Sequence, residues 1–228
     1  MIITKYLDQI DPYLKTGKYI FRGVSNSRYL NETGDLRRMP STEIEDFQSY
    51  NIDLVKQARK QGYGEKSLKE LSDLEMLAEL QHFGAATCLL DFTRNFLTAL
   101  WFAIDGNPDK DGKIYYLNEQ NLEKIDSKED EDKNIKEFLS NETNYSWTPQ
   151  IINSRIIAQD SVFVLGSPIL NNENIKEIVV DKDDKPNIRY ELNEFFNLND
   201  STLFPDLQGF ALANSSDKSS TSFSGDLD

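Results

Sequence analysis

The chain is poor in the residues that usually mark a bound metal or a covalent scaffold. Its 228 residues hold one cysteine, Cys88, and one histidine, His82. A single thiol closes no internal disulfide, and with one imidazole it falls short of the about three or four protein ligands of an ordinary zinc site. Neither structural zinc nor a disulfide framework is expected. Positive charge is scarce too: 25 Lys and Arg stand against 39 Asp and Glu, a net charge of −14. The surface as a whole repels phosphate backbones, so only a confined basic groove could hold nucleic acid. No apolar run approaches the roughly 20 residues that span a bilayer, and the N-terminal stretch lacks a basic segment followed by an apolar one. There is no internal repeat and no Gly-rich phosphate loop. The expectation is a cytoplasmic protein with no membrane partner.

What is present suffices for a globular core: 38% of residues are apolar and 11% aromatic, in a length suited to one large domain or two small ones. Ile2, Ile3, Tyr6, Leu7 and Ile10 predict a helix ended by Asp11-Pro12 and Gly17. Lys18 to Val24 reads as a strand, with β-forming Tyr19, Ile20 and Phe21. Ser41-Thr42-Glu43 opens a helix reaching about Gly62. The spacing of Leu68, Leu71, Leu74, Leu77 and Leu80 predicts a second helix from Ser67 to Phe83. Thr87 to Phe92 reads as a strand, Asn95 to Ile104 as a helix and Lys113 to Leu117 as a strand. Asn118 to Glu142, crowded with acids and lysines, is expected to be a solvated insertion. Ser161–Leu165 and Ile175–Val180 are strands, Ile188–Leu198 a helix, and Leu203-Phe204-Pro205 the start of another, with Pro205 in its first turn. Helices early and strands dispersed, without regular alternation, predict a mixed α+β domain over residues 1–213. The Ser-rich tail, 214–228, is expected to be disordered.

A few polar residues sit where chemistry could be done. Arg22 follows an apolar β run and precedes Gly23, a place where a guanidinium can grip a phosphate or carboxylate bidentately, or pair with an acid of the fold. His82 ends a helix; it could shuttle a proton or support the helix dipole. Asp91 and Thr93 flank the end of a strand just before a helix, where they could cap that helix or line a cleft. Arg155 and Gln159 stand ahead of a strong strand with the same ambiguity. Arg22, Arg28, Arg37 and Arg38 form the densest basic cluster, either a solvated loop or a nucleic-acid groove.

Tyr19-Ile20-Phe21-Arg22-Gly23, the long run from Glu79 through Gln81-His82-Phe83-Gly84 to Leu90-Asp91-Phe92-Thr93, Ala99-Leu100-Trp101-Phe102-Ala103, Arg155-Ile156-Ile157-Ala158-Gln159 and Leu203-Phe204-Pro205-Asp206-Leu207 occur in this order. Together they resemble the FRG domain, named for its Phe-Arg-Gly motif, over roughly residues 15–213. The chain departs from the pattern at Ala85-Ala86, at Cys88, where an arginine is usual, and at Asp160-Ser161. The order of parts in turn looks like an ADP-ribosyltransferase-type fold, a mainly antiparallel split sheet with an N-terminal helical segment.

That likeness implies NAD as substrate, with no metal. Arg22 would hold the NAD diphosphate or nicotinamide ribose, and Gly23 would let the nicotinamide amide reach backbone. Thr93 would stand for the hydroxyl motif and Arg155 would add a cofactor contact. His82, Asp91 and Gln159 would be catalytic, Gln159 in place of the usual glutamate. The implied protein is a toxin or anti-phage effector that modifies a nucleic acid or protein, with an inhibitory antitoxin-like protein as partner. A non-catalytic binding module of the same fold and an NAD glycohydrolase are the alternatives.

Overall fold

The structure, a computed structural model, describes residues 1–215 except 15–16, 40, 67–68, 132, 141–142, 151–152 and 171–173. In chain order the elements are α1 (Ile2–Leu14), β1 (Tyr19–Val24), α2 (Gly34–Arg38), α3 (Ile44–Lys60), β2 (Glu65–Lys66), β3 (Lys69–Glu70), α4 (Asp73–His82), β4 (Leu90–Thr93), α5 (Phe96–Ile104) and β5 (Gly112–Asn118). They continue with β6 (Glu123–Ile125), α6 (Lys128–Glu131), α7 (Ile135–Phe138), β7 (Tyr145–Trp147), α8 (Ser154–Ala158), β8 (Ser161–Leu165), β9 (Lys176–Val180), α9 (Lys185–Phe196), α10 (Asp200–Leu203) and α11 (Leu207–Ala213).

The fold is α+β. Seven strands form one sheet in the order β6-β7-β8-β4-β1-β5-β9. The β6–β7 pair is parallel, and every other neighbouring pair is antiparallel. Alternation along the strands sorts side chains between the two faces. Phe21, Ile114, Tyr116, Ile178 and Val180 pack under α1, α5 and α9. Phe163 and Leu165 pack with α3, α4 and α7. Ile20, Leu90, Phe92, Val162 and Val164 turn to the reverse face, beneath Leu122 and Leu170.

The sheet is nearly divided at its centre. β1 pairs with β5 along its whole length, from Tyr19 opposite Asn118 to Val24 opposite Lys113, but meets β4 at the single pair Phe21–Thr93. β4 is in turn paired throughout with β8. Two well-bonded halves therefore join along a short seam, as a split sheet requires.

Over β1 lies α5, whose apolar residues occur all round its circumference. Such a helix must be buried, and Ala99, Leu100, Trp101 and Ala103 are essentially inaccessible. Its N-terminus is capped by Asn95, whose Oδ1 accepts the Leu97 N–H at 2.9 Å. Glycine lets it approach the sheet: a Cβ on Gly23 would lie 1.9 Å from the Ala99 carbonyl oxygen, and one on Gly112 would lie 2.1 Å from that of Ala103.

Several expected boundaries move. The first helix continues through Pro12 to Leu14. The second begins at Asp73, not Ser67, because Ser72 forms a capping box with Glu75. The chain before it makes the β2–β3 hairpin, while Ser67 and Leu68 lie outside the described residues. The stretch 118–142 is no mere solvated insertion, since it supplies β6 and buries Ile125, Ile135, Phe138 and Leu139. Glu131 there accepts the Trp147 indole N–H at 2.9 Å. Pro205 starts no helix; it lies in the link between α10 and α11. The helix predicted over 188–198 begins at Lys185 with Pro186 in its first turn and ends at a left-handed Asn197, φ 51°. Of the predicted tail, 216–228 lies outside the described residues.

Candidate functional site

A cavity of about 330 Å³ opens beside the seam. The elements around it are β1, α4, β4, α5, α8, β8 and the link before α11. Arg22, Gly23, His82, Asp91, Thr93, Arg155 and Gln159, all singled out from the sequence, line it, with Phe102, Phe163 and Phe204 as aromatic walls. Such a mixture of apolar wall and a few convergent polar groups is what a small-molecule site presents.

Arg22 occupies the gap where β1 and β4 part. Its Nη1 donates to the Asp91 carbonyl oxygen at 2.9 Å and lies 3.9 Å from the Asp91 carboxylate. Its Nε is buried and makes no hydrogen bond. Burial pushes its pKa down from the ordinary arginine value, Asp91 opposes that, and Arg37 adds to it. A guanidinium left with an unused inward N–H retains capacity for a ligand, because burying a donor without an acceptor costs about 1–3 kcal/mol that a bound oxygen would recover. Asp91 is steadied from the other side, where its Oδ1 accepts from Gln81 Nε2 at 2.8 Å, and Gln81 in turn accepts from the Thr87 hydroxyl. Among the described residues no His, Cys, Asp or Glu side chains are grouped to hold a metal ion.

Three of the expected ligand contacts are already committed within the fold. The hydrogen that serves as the Cβ of Gly23 faces α5, so its glycine identity answers to helix packing whatever its backbone does for a ligand. Thr93 Oγ1 donates to the Gln159 carbonyl at 2.6 Å and accepts the Asn95 N–H at 2.9 Å, which ties β4 to the end of α8. Arg155 makes a bidentate pair with Asp206, Nε to Oδ2 at 2.5 Å and Nη2 to Oδ1 at 2.9 Å, and its guanidinium stacks on Phe204 at 4.9 Å. A fork so engaged positions the link before α11 rather than reaching for a phosphate. Gln159 likewise spends its amide nitrogen on the Leu203 carbonyl at 3.0 Å. Cys88, where the family pattern would place an arginine, is buried in the core with a thiol pushed well up by burial.

Asp206 is the residue that sequence reasoning missed, together with Gln81. It sits in the Leu203–Leu207 motif, and the acid just after Pro205 was its only signal. Oδ1 also accepts the Gly209 N–H at 2.7 Å, which caps α11, and Oδ2 lies 3.5 Å from His82 Nε2. The Arg155 hydrogen bonds foremost, then the Gly209 amide, hold its pKa down to about 2. A carboxyl with a depressed folded-state pKa stabilises the fold above its unfolded value of about 4 and loses that contribution as pH falls. The stability of wild type should therefore fall by roughly 2 kcal/mol between about pH 4 and pH 2 through this group. Asp206→Asn should remove that part of the acid slope in urea titrations, and an unchanged slope would contradict the assignment.

Residues 17–112 match the family model of the FRG domain, a shorter stretch than the sequence motifs alone suggested, which leaves Arg155, Gln159 and Asp206 beyond it. No curated protein and no solved structure matches the chain. Among the described residues no helix is long and apolar enough to cross a membrane. The part of the chain that supplies Arg22, Gly23, His82, Asp91 and Thr93 thus lies within the stretch that matches the FRG domain.

Proposed function

We propose that the cavity at the seam binds NAD and passes its ADP-ribose to an acceptor, as an ADP-ribosyltransferase does. One observation carries this reading: Arg22 stands at the split of the sheet, on the wall of a cavity lined by several separate elements, with a buried Nε that makes no hydrogen bond. Phe102, Phe163 and Phe204 offer flat apolar surface to a nicotinamide ring. Arg22 would hold negative oxygen of the dinucleotide. In the reaction the bond between the ribose C1′ and the nicotinamide nitrogen breaks, its electron pair leaving with nicotinamide. A lone pair of the acceptor then forms the new bond to C1′, and the acceptor's proton passes to the Asp91 carboxylate or to water. The developing oxocarbenium-like charge calls for orientation and nearby anionic charge. Asp91 is the carboxylate on the wall held by an amide rather than by a bidentate arginine. With water as acceptor the same site is an NAD glycohydrolase.

A ligand-binding module without turnover is the second reading. It is favoured by Gln159, a neutral amide already bonded to Leu203, in the place the resemblance gives to a catalytic glutamate. Incubation of the protein with NAD, alone and with RNA, DNA or protein acceptors, decides among them. Release of nicotinamide that rises with one acceptor class, accompanied by label transfer from NAD, is the expected result. NAD binding without any nicotinamide release would establish the module, and no binding at all would end both readings.

A further inference from the structure

A second cavity, of about 360 Å³, adjoins the first, and Arg22, Gln81 and Asp91 line both. Its remaining wall carries Arg37, Arg38 and Glu32 beside the Gly84–Ala86 turn. In a chain of net charge −14, three arginines on one concave surface stand against the background charge, and among the described residues only Arg22 has a carboxylate, that of Asp91, near it. Arg37 gives Nη1 to the Glu32 carbonyl oxygen at 2.7 Å. Arg38 lies over the Tyr50 ring at 6.0 Å. Among the described residues neither guanidinium is bonded to a carboxylate. Arg37 is also near enough to Arg22 to push its pKa down, so two positive charges repel across the cavity and an anion between them would relieve the repulsion.

The platform beneath these arginines is fixed. α2 is anchored by Asp35, a fully buried carboxylate that accepts from Asn51 Nδ2 at 2.7 Å and whose own N–H donates to the Thr87 carbonyl at 3.1 Å. Asn51 Oδ1 accepts the Cys88 N–H at 3.0 Å, and the Tyr50 hydroxyl donates to the Ala86 carbonyl at 3.0 Å. α2, α3 and the strand leading to β4 are thereby locked together under the two exposed guanidinium groups. Pre-placed forks of this kind recognise phosphate oxygens with little ordering cost.

We propose that this second cavity is a phosphate site, with Arg37 and Arg38 gripping phosphate oxygens and Arg22 contributing from the shared wall. The phosphate could belong to the dinucleotide whose other end occupies the first cavity, or to a nucleic-acid strand brought to it; the recognition chemistry is the same.

The test is calorimetric titration of the full chain with inorganic pyrophosphate, repeated with the R37Q/R38Q double variant and at raised ionic strength. Pyrophosphate should bind wild type, weaken with salt, and bind the double variant at least tenfold more weakly while the urea midpoint is unchanged. Absence of binding to wild type, or equal affinity for the two proteins, overturns the assignment. If the double variant is unstable, R37K/R38K serves instead and should weaken binding by a smaller factor at unchanged midpoint. Competition then locates the source: displacement of pyrophosphate by ADP-ribose assigns the phosphate to the dinucleotide, displacement by a short single-stranded oligonucleotide assigns it to a strand, and displacement by neither rejects the site. The measurement needs no NAD cleavage. A protein that binds pyrophosphate through Arg37 and Arg38 yet never releases nicotinamide keeps this site and loses the transferase reading.

Discussion

Gly23→Ala should be among the most damaging single substitutions in the chain, lowering stability by roughly 3 kcal/mol or more, the upper part of the range for overpacked cores. The reason is what the new methyl meets. It would stand 1.9 Å from the Ala99 carbonyl oxygen and 2.7 Å from the Ala103 nitrogen. Both are main-chain atoms of α5, which is held between the sheet and α9 and has no free direction to retreat. Because the obstacle is backbone, shortening Ala99 to glycine should give no rescue. Urea denaturation followed by fluorescence of Trp101, buried on that helix, reads the effect directly. A G23A protein within about 1 kcal/mol of wild type would mean that α5 can shift, contrary to the rigidity of packed interiors.

Arg22→Lys should leave the fold standing and remove function. The guanidinium spans the gap by donating to the Asp91 carbonyl while keeping a second N–H turned inward. An ammonium is a point charge that cannot serve both directions in one plane, and the burial that already lowers the pKa of Arg22 acts more severely on a group that loses its proton readily. On the proposed NAD reaction the expected loss is about 100-fold or more in nicotinamide release, the scale seen when a reacting centre is misplaced by about 1 Å or loses a charge-stabilising donor. The unfolding midpoint should stay near that of wild type, since the Phe21–Thr93 pair joining the two half-sheets does not involve the side chain. Full activity in R22K would reduce Arg22 to a strut.

Much of the fold was legible because its determinants are local. Tyr19-Ile20-Phe21 and Ser161–Leu165 announce strands by β-branched and aromatic content, and Asn95 with the apolar run behind it announces α5. The misreadings share a cause: local signals overruled by distant partners. The acidic stretch near Lys128 looked solvated because its few apolar residues are widely spaced, yet Ile135 and Phe138 reach the core through α3 and α4. The leucine step that suggested a helix from Ser67 could not reveal that Ser72 caps it later.

For the site, sequence gave the residues that line the cavity but not the division of labour among them. Thr93, Arg155 and Gln159 carry the right functional groups, and only their distances to Asn95, Asp206 and Leu203 reveal that those groups hold the walls in place. Gln81 and Asp206 stand within the motifs that carry the resemblance but draw no role from the sequence, since only the distances to Asp91 and Arg155 show what they hold.

The short junction between β1 and β4 has a mechanical meaning. With backbone pairing confined to Phe21 and Thr93, the two half-sheets are held together there mainly by side chains, Ile20 sharing one apolar cluster with Leu90 and Phe92 and Arg22 reaching the Asp91 carbonyl. A guest touching both β1 and β4 would act as a clasp, so occupancy should slow amide exchange along this line before any other part of the sheet responds.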